Sequence, residues 1–196
     1  FATGRELLFA ATSAIRVTAI GAIFGTVSAG YFAMSMRLLD APVKLMYAAL
    51  TTTTTRALSD LSGDRKMSKE YLHKWLLLLA LAGLVLLVSV SVFANIGVEI
   101  VLGAEWTGVG SLLVIIAVWK SVGLCKAPAV AYLYVHRQDK NTFYFQLAGT
   151  IATALAVAIV IAVNLGFVWA VLLIALIGLG VDSSFVLSAL RLSRRR

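Results

Sequence analysis

Six long apolar segments, separated by short polar or glycine-containing connections, dominate the chain. Each segment is near or above the roughly 20 residues that a helix needs to cross the hydrocarbon core of a bilayer. The second and fourth segments are the least apolar, because charged side chains interrupt them. The pattern predicts an all-α, polytopic membrane helix bundle that forms a single transmembrane domain over residues 1–196. The predicted spans are residues 7–27, 31–55, 75–96, 110–135, 143–163 and 167–190.

The composition also indicates a membrane protein. The chain is 61% hydrophobic and 13% charged, whereas a soluble domain is about 45–50% apolar and about 25% charged. Long apolar runs separate the basic residues behind the net charge of +8, so we expect membrane lipids and no nucleic acid as partners. The single cysteine, Cys125, excludes an intrachain disulfide and a cysteine metal cluster.

The basic side chains are distributed asymmetrically about the predicted spans. Of the 17 Lys and Arg, 12 lie on one side of a six-span topology, none on the other, and five within spans. Cytoplasmic loops carry an excess of Lys and Arg, so the pattern places both termini in the cytoplasm. The start at Phe1, with no signal-peptide pattern, leads us to expect the interior of a longer protein. The 12 are Arg5, Arg56, Arg65, Lys66, Lys69, Lys74, Arg137, Lys140, Arg191, Arg194, Arg195 and Arg196.

The second predicted span contains a polar seam. Arg37, Asp40 and Lys44 fall within roughly 60° of one another on a helix, and Thr51 and Thr55 continue the stripe. A charge at the bilayer centre costs about 2.5–3.5 kcal/mol on insertion scales, so we expect the seam to face protein or water. Two interpretations stay open. Asp40 pairs with Lys44 and Arg37 in a self-neutralising motif, or the seam lines a polar pathway.

Other cations lie inside the spans. Lys126 is close enough to the cytoplasmic end to snorkel, and Pro128 after it can kink the fourth span. Arg16 is too central to snorkel. Against five cations, the spans hold only Asp40 and Asp182, and this surplus indicates an anionic guest such as a phosphate-bearing lipid or sugar. The five cations are Arg16, Arg37, Lys44, Lys120 and Lys126.

The sequence contains no persuasive catalytic or metal-binding constellation. His73 and His136 lie in basic loops, where solvated side chains are the simplest interpretation. Gly178-Leu179-Gly180 lies inside a span and indicates close helix packing. The five threonines at 51–55 either bond the preceding turn of their own helix or form a hydrophilic lining. We therefore expect no enzyme activity, no cofactor and no metal.

Three short motifs occur in order along the chain: GYFAMSMRLLDAP at 30–42, GAEW at 103–106, and HRQD at 136–139. They resemble motifs of bacterial polysaccharide-unit flippases, which belong to the multidrug/oligosaccharidyl-lipid/polysaccharide exporter superfamily. That family has two six-helix lobes around a central cleft, and this chain resembles the C-terminal lobe. The resemblance implies a further, N-terminal six-helix lobe, which either precedes this sequence in a longer protein or is supplied by a partner chain. The matching residues are Gly30, Tyr31, Ala33, Arg37, Leu38, Leu39, Pro42, Gly103 and Trp106.

The resemblance also implies a function and a location. The protein would flip lipid-diphosphate-linked polysaccharide repeat units across the bacterial cytoplasmic membrane by alternating access. Arg16 and Arg37 would bind the diphosphate, Lys44 and Lys120 would support them, and Asp40 would be a counter-ion or coupling-ion site. Without the other lobe, the chain would transport poorly.

Three alternatives remain. A multidrug antiporter of the same superfamily would favour an acidic cleft, whereas this one is basic. An integral-membrane enzyme of lipid-linked sugar metabolism would need acidic or histidine residues clustered at a membrane face. In a non-transporting scaffold, the charged spans would only hold helices together.

Overall fold

The chain folds into a bundle of long helices, described in a computed structural model for residues 2–61 and 63–195, without the side chains at 2, 3, 5, 6, 65, 95, 139 and 195. Every regular element in these ranges is helical, which confirms the all-α prediction, and five helices are long and apolar enough to cross a membrane. A 3₁₀ turn, Ala104–Trp106, precedes the third helix. The helices are α1 (Ala2–Asp60), α2 (Arg65–Leu102), α3 (Thr107–Leu124), α4 (Lys126–Val135), α5 (Asp139–Val163) and α6 (Phe167–Arg195).

The long helix α1 is a hairpin that turns at one residue, Gly25. Its φ of 85° and ψ of 171° lie in a region that is essentially confined to glycine. A Cβ at Gly21 would lie 3.4 Å from the Cβ of Ala29, whereas residues eight apart in a straight helix are about 12 Å apart. We name the arms α1a (residues 2–24) and α1b (residues 26–60). The predicted connection at 28–30 is instead helical, because Gly25 already reverses the chain.

The fourth predicted span is two helices, α3 and α4, that meet at Cys125. Pro128 has no N–H to donate to Leu124, and its ring would clash with the carbonyl of that residue. The N–H of Cys125 bonds the carbonyl of Val122 at 3.0 Å, a tighter turn than an α-helix has. The proline therefore breaks the helix, as the sequence suggested, with the break three residues before the proline itself.

Neighbouring helices run in the directions that the six-span topology requires. Gly4 lies against Phe143, and the hydroxyls of Thr12 and Thr150 are 2.7 Å apart, so α1a and α5 are parallel. By the same argument, α1b is parallel to α3, and α2 is antiparallel to α3. The hairpin turn and the α2–α3 and α5–α6 connections therefore share one end of the bundle.

The basic loop residues lie at the opposite end. Eight of the twelve have described side chains, and all eight are exposed. The side chains of Arg5, Arg65, Arg195 and Arg196 lie outside the described residues. The segregation of charge is what the topology needs, and which end faces the cytoplasm stays a prediction. The eight are Arg56, Lys66, Lys69, Lys74, Arg137, Lys140, Arg191 and Arg194.

Two of the three sequence motifs meet at the end without basic loops. The Tyr31 hydroxyl donates to the carbonyl of Glu105 at 3.0 Å, and its ring packs edge-on against Trp106 at 5.8 Å. Gly103 ends α2 with a φ of 93°, which glycine adopts without a steric cost. A Cβ at Gly108 would lie only 3.1 Å from the Tyr31 ring. The contact fixes α1b against the start of α3.

Candidate functional site

A cavity of about 260 Å³ lies among α1, α3, α4, α5 and α6. A second cavity of about 570 Å³ lies between the arms of the hairpin. Arg16, Asp40 and Lys44 line both, and Arg37 lines only the second. The first cavity has four cations against two carboxylates, so the basic surplus expected from the sequence is present there. Its charged lining is Arg16, Asp40, Lys44, Lys120, Lys126 and Asp182.

Asp40 joins two helices through its carboxylate. One oxygen lies 2.5 Å from the Nζ of Lys120 on α3, and the other lies 3.3 Å from the Nζ of Lys44, one turn along α1b. The side chain of Lys120 is 9% exposed and that of Lys44 is 62% exposed. The predicted pairing with Lys44 is therefore present, and nothing in the sequence pattern indicated Lys120 as the second partner.

Arg37 departs from the expected pairing. It is exposed, and it makes no ion pair with any residue in the described part of the chain. Lys120 takes the place beside Asp40, because a nearby carboxylate offsets the cost of burying its ammonium group. The prediction that Arg37 pairs with Asp40 is thus wrong, while its role toward a substrate stays a prediction.

A second carboxylate, Asp182 on α6, joins α3 and α4. Its Oδ1 lies 2.9 Å from the Nζ of Lys126, and its Oδ2 accepts the indole N–H of Trp119 at 2.8 Å. Two glycines allow this approach: a Cβ at Gly178 would overlap the Trp119 ring, and one at Gly123 would lie 3.2 Å from Oδ2. The close packing expected at the Gly178 motif is present, and its physical reason is the indole beside it.

Arg16 occupies the centre of the site with its charge unpaired. It is 6% exposed, and its guanidinium carbon lies 4.8 Å from the centre of the Trp119 ring. The Nζ of Lys120 lies 4.1 Å from the same ring. The buried Nε of Arg16 has no hydrogen-bond partner, and the side chain makes no ion pair within the described residues. Asp182 and Asp40 compensate its charge only through space. Because arginine stays charged and a buried charge without a direct partner is costly, an anion in contact with this group would stabilise it.

The threonine run belongs to the helix and not to the cavities. The hydroxyls of Thr51, Thr52, Thr53 and Thr54 donate to carbonyls one turn earlier, at 2.5–3.0 Å. None of the five threonines at 51–55 lines either cavity. The interpretation as backbone-bonded hydroxyls therefore holds for these four residues.

Sequence reasoning missed one polar residue of the site, Gln146 on α5. It is buried and lines the first cavity. The only signal was an uncharged amide within an otherwise apolar predicted span.

A comparison with known protein families identifies the family of this chain. The sequence model of a family described as "polysaccharide biosynthesis protein" matches residues 2–111, more than half of the chain. The chain belongs to this family. No protein of curated function and no solved structure matches it. The match covers α1, α2 and the start of α3, and with them Arg16, Arg37, Asp40 and Lys44.

Family membership and the helices together give a coarse function. This polysaccharide biosynthesis protein is a multi-pass membrane protein with a role in polysaccharide synthesis or export. Lys120, Lys126, Gln146 and Asp182 lie beyond the matched residues. The cavity is therefore built partly from the family region and partly from the rest of the chain.

Proposed function

We propose that the chain is one lobe of a flippase that moves lipid-diphosphate-linked polysaccharide repeat units from the cytoplasmic to the outer leaflet of the bacterial inner membrane. The observation that supports this most directly is the buried, unpaired guanidinium of Arg16 in a basic cavity. A diphosphate offers several oxygens to such a fork of donors. Alternating access follows if a second six-helix lobe closes over the same site.

The remaining charges fit a site that holds and then releases an anion. Lys44 and Lys120 share Asp40, and Lys126 shares Asp182. We propose that the carboxylates neutralise these lysines while no substrate is bound, and that the diphosphate takes over part of that role when it enters. Arg37, on the second cavity between the arms of the hairpin, would contact the same anion from there.

The alternatives fit the cavity less well. The cavity lining has four cations and two carboxylates, so it would repel the cationic drugs that a multidrug antiporter carries. An enzyme of lipid-linked sugar metabolism would use clustered acids or histidines. Here Asp40 and Asp182 are both engaged by lysines. We therefore propose a transporter that is not an enzyme.

Substitution of Arg16 tests the proposal. Arg16→Met removes a buried charge that makes no direct ion pair with a described carboxylate, so we expect melting in detergent close to or above the wild-type temperature. Polysaccharide export by the full-length transporter in a flippase-deficient strain should nevertheless be lost. Arg16→Lys should restore export only in part, because an ammonium cannot grip phosphate in a bidentate way.

The control is Arg56→Met, which removes an exposed arginine outside both cavities. It should leave export and melting unchanged. Normal export by an Arg16→Met protein present at the wild-type level would overturn the assignment of Arg16 to the substrate site.

A further inference from the structure

One amide on the cavity wall has no hydrogen-bond partner in the described part of the protein. Gln146 is 5% exposed and shares the cavity lining with Arg16, Trp119 and Asp182. Its backbone carbonyl accepts the Thr150 hydroxyl at 3.0 Å, but its side chain makes no hydrogen bond within residues 2–61 and 63–195. The residue as a whole is nearly enclosed, but its amide atoms keep some accessible surface and line the cavity, so they can pair with a polar group of a bound ligand or with water.

Helix packing does not account for the polarity of Gln146. Two other polar side chains nearby on α5 are satisfied: the buried Thr153 donates to the carbonyl of Gly149 at 2.8 Å, and the half-buried Thr150 is hydrogen-bonded to Thr12. An apolar side chain at position 146 would fill the same space without the cost of desolvation. The amide is therefore present for something other than the contact between α5 and its neighbours.

The chemistry of the amide distinguishes its partner from a phosphate. Glutamine offers two N–H donors and a carbonyl acceptor and carries no charge. Sugar hydroxyls and acetamido groups both donate and accept, whereas a phosphate in this cavity already has the cations of Arg16, Lys120 and Lys126. The amide oxygen would also repel a phosphate oxygen. Of the two parts of the proposed substrate, the sugar is the one that can both donate to and accept from the Gln146 side chain.

The position of Gln146 separates it from the main cation. Thr12 on α1a lies beside Thr150 on the parallel helix α5. Arg16 is one turn beyond Thr12, and Gln146 is one turn before Thr150, so their Cα positions differ by about 12 Å along the bundle at 1.5 Å per residue. Both side chains are long and line one cavity. The two Cα atoms are thus about two turns apart while both residues line one cavity, so one can bind the phosphate and the other the group attached to it.

The size of the cavity limits how much of the sugar it encloses. Its volume of about 260 Å³ is below the roughly 300–1,000 Å³ of sites that enclose drug-sized ligands. One sugar ring fits such a space better than a whole repeat unit does. The remainder of the oligosaccharide would leave through the open side.

We propose that Gln146 recognises the sugar nearest to the diphosphate and so determines which lipid-linked unit is accepted. This inference rests on the proposed function, because it takes the anion at Arg16 to be the diphosphate of that lipid. Recognition by a buried hydrogen-bonding group discriminates strongly against a ligand that lacks the partner, because the amide is then left unpaired.

The experiment compares two ligands on the full-length transporter in detergent. One is undecaprenyl diphosphate, which has no sugar, and the other is the lipid-linked repeat unit extracted from the host. Dissociation constants come from displacement of radiolabelled undecaprenyl diphosphate. The variant is Gln146→Met, which keeps the length of the side chain and removes the amide. The control is Thr153→Val, a buried change on the same helix that does not line the cavity.

We expect the wild type to bind the lipid-linked unit more tightly than undecaprenyl diphosphate. Gln146→Met should reduce this preference by roughly two- to tenfold for each hydrogen bond lost, with undecaprenyl diphosphate bound as before. Thr153→Val should preserve both affinities. If Gln146→Met fails to fold, Gln146→Asn serves instead, because it keeps the amide but withdraws it by one methylene and should also lower the preference.

The outcomes separate the two proposals. If the wild type binds neither ligand, the proposed function is overturned. If both ligands bind equally, or if the Gln146 variant weakens neither or both alike, the role of Gln146 is overturned while the diphosphate site stands.

Discussion

The ion pair between Asp40 and Lys120 supports a quantitative prediction. Asp40→Asn keeps the shape of the side chain and removes its charge. Lys120, whose side chain is 9% exposed, then stays buried near the positive charge of Arg16, since both contact the Trp119 ring. Removal of one partner of a buried pair costs about 3–5 kcal/mol, because the other charge remains in a poorly solvated place.

The partner on the other side of Asp40 matters much less. The Asp40–Lys44 and Asp40–Lys120 distances, 3.3 Å and 2.5 Å, are both within the range of an ion pair, so exposure decides between them. Lys44 is 62% exposed, and exposed pairs contribute about 0–1 kcal/mol. At about 2–4 °C per kcal/mol for a chain of this length, Asp40→Asn should lower the melting temperature by about 6–20 °C. Lys44→Met should lower it by at most about 4 °C.

A double substitution distinguishes a charge effect from a loss of packing. Asp40→Leu with Lys120→Met removes both charges, and such replacements of buried pairs are often neutral or stabilising. We expect this protein to melt near the wild-type temperature while export is lost. The assay is thermal unfolding in detergent for all four proteins. An Asp40→Asn protein that melts like the wild type, or a double variant no more stable than that single one, would refute the reasoning.

Two further predictions concern packing and topology. Gly178→Ala adds a Cβ that would overlap the Trp119 ring, so the yield of folded protein on size-exclusion chromatography should fall. The control is Gly180→Ala, which should not change the yield, because no atom lies within 4 Å of its Cβ. Equal yields of the two variants would contradict the packing. Single cysteines at Lys66 and Thr107 in a cysteine-free background should be labelled from opposite sides of sealed cells. If both are labelled from one side, the six-span topology is wrong.

The helices could be predicted because their apolar runs are long enough to leave few alternatives. The position of the turn between the first two spans could not be predicted, because three nearby glycines, Gly21, Gly25 and Gly30, are all candidates for it. Nothing in the pattern shows which glycine takes the positive φ. That choice depends on how α1a and α1b pack, which is a property of the folded bundle.

The contacts of the candidate site also divide into those that the sequence predicts and those that it does not. Asp40 and Lys44 are four residues apart on one helix, so their contact follows from helical geometry. The contacts of Asp40 with Lys120 and of Trp119 with Asp182 depend on the rotation of separate helices about their axes. Adjacent residues of α3 thereby reach carboxylates on two different helices, and no local pattern encodes this.

The single-residue turn at Gly25 restricts how the bundle can move. Because only one non-helical residue connects them, α1a and α1b cannot slide past each other. The hairpin should therefore move as one rigid body that carries Arg16 and Asp40 together. Any rearrangement must take place at the contacts of the hairpin with α3 and α5. Insertion of a few residues at position 25 should uncouple α1a from α1b. Arg16 could then move independently of the Asp40 carboxylate.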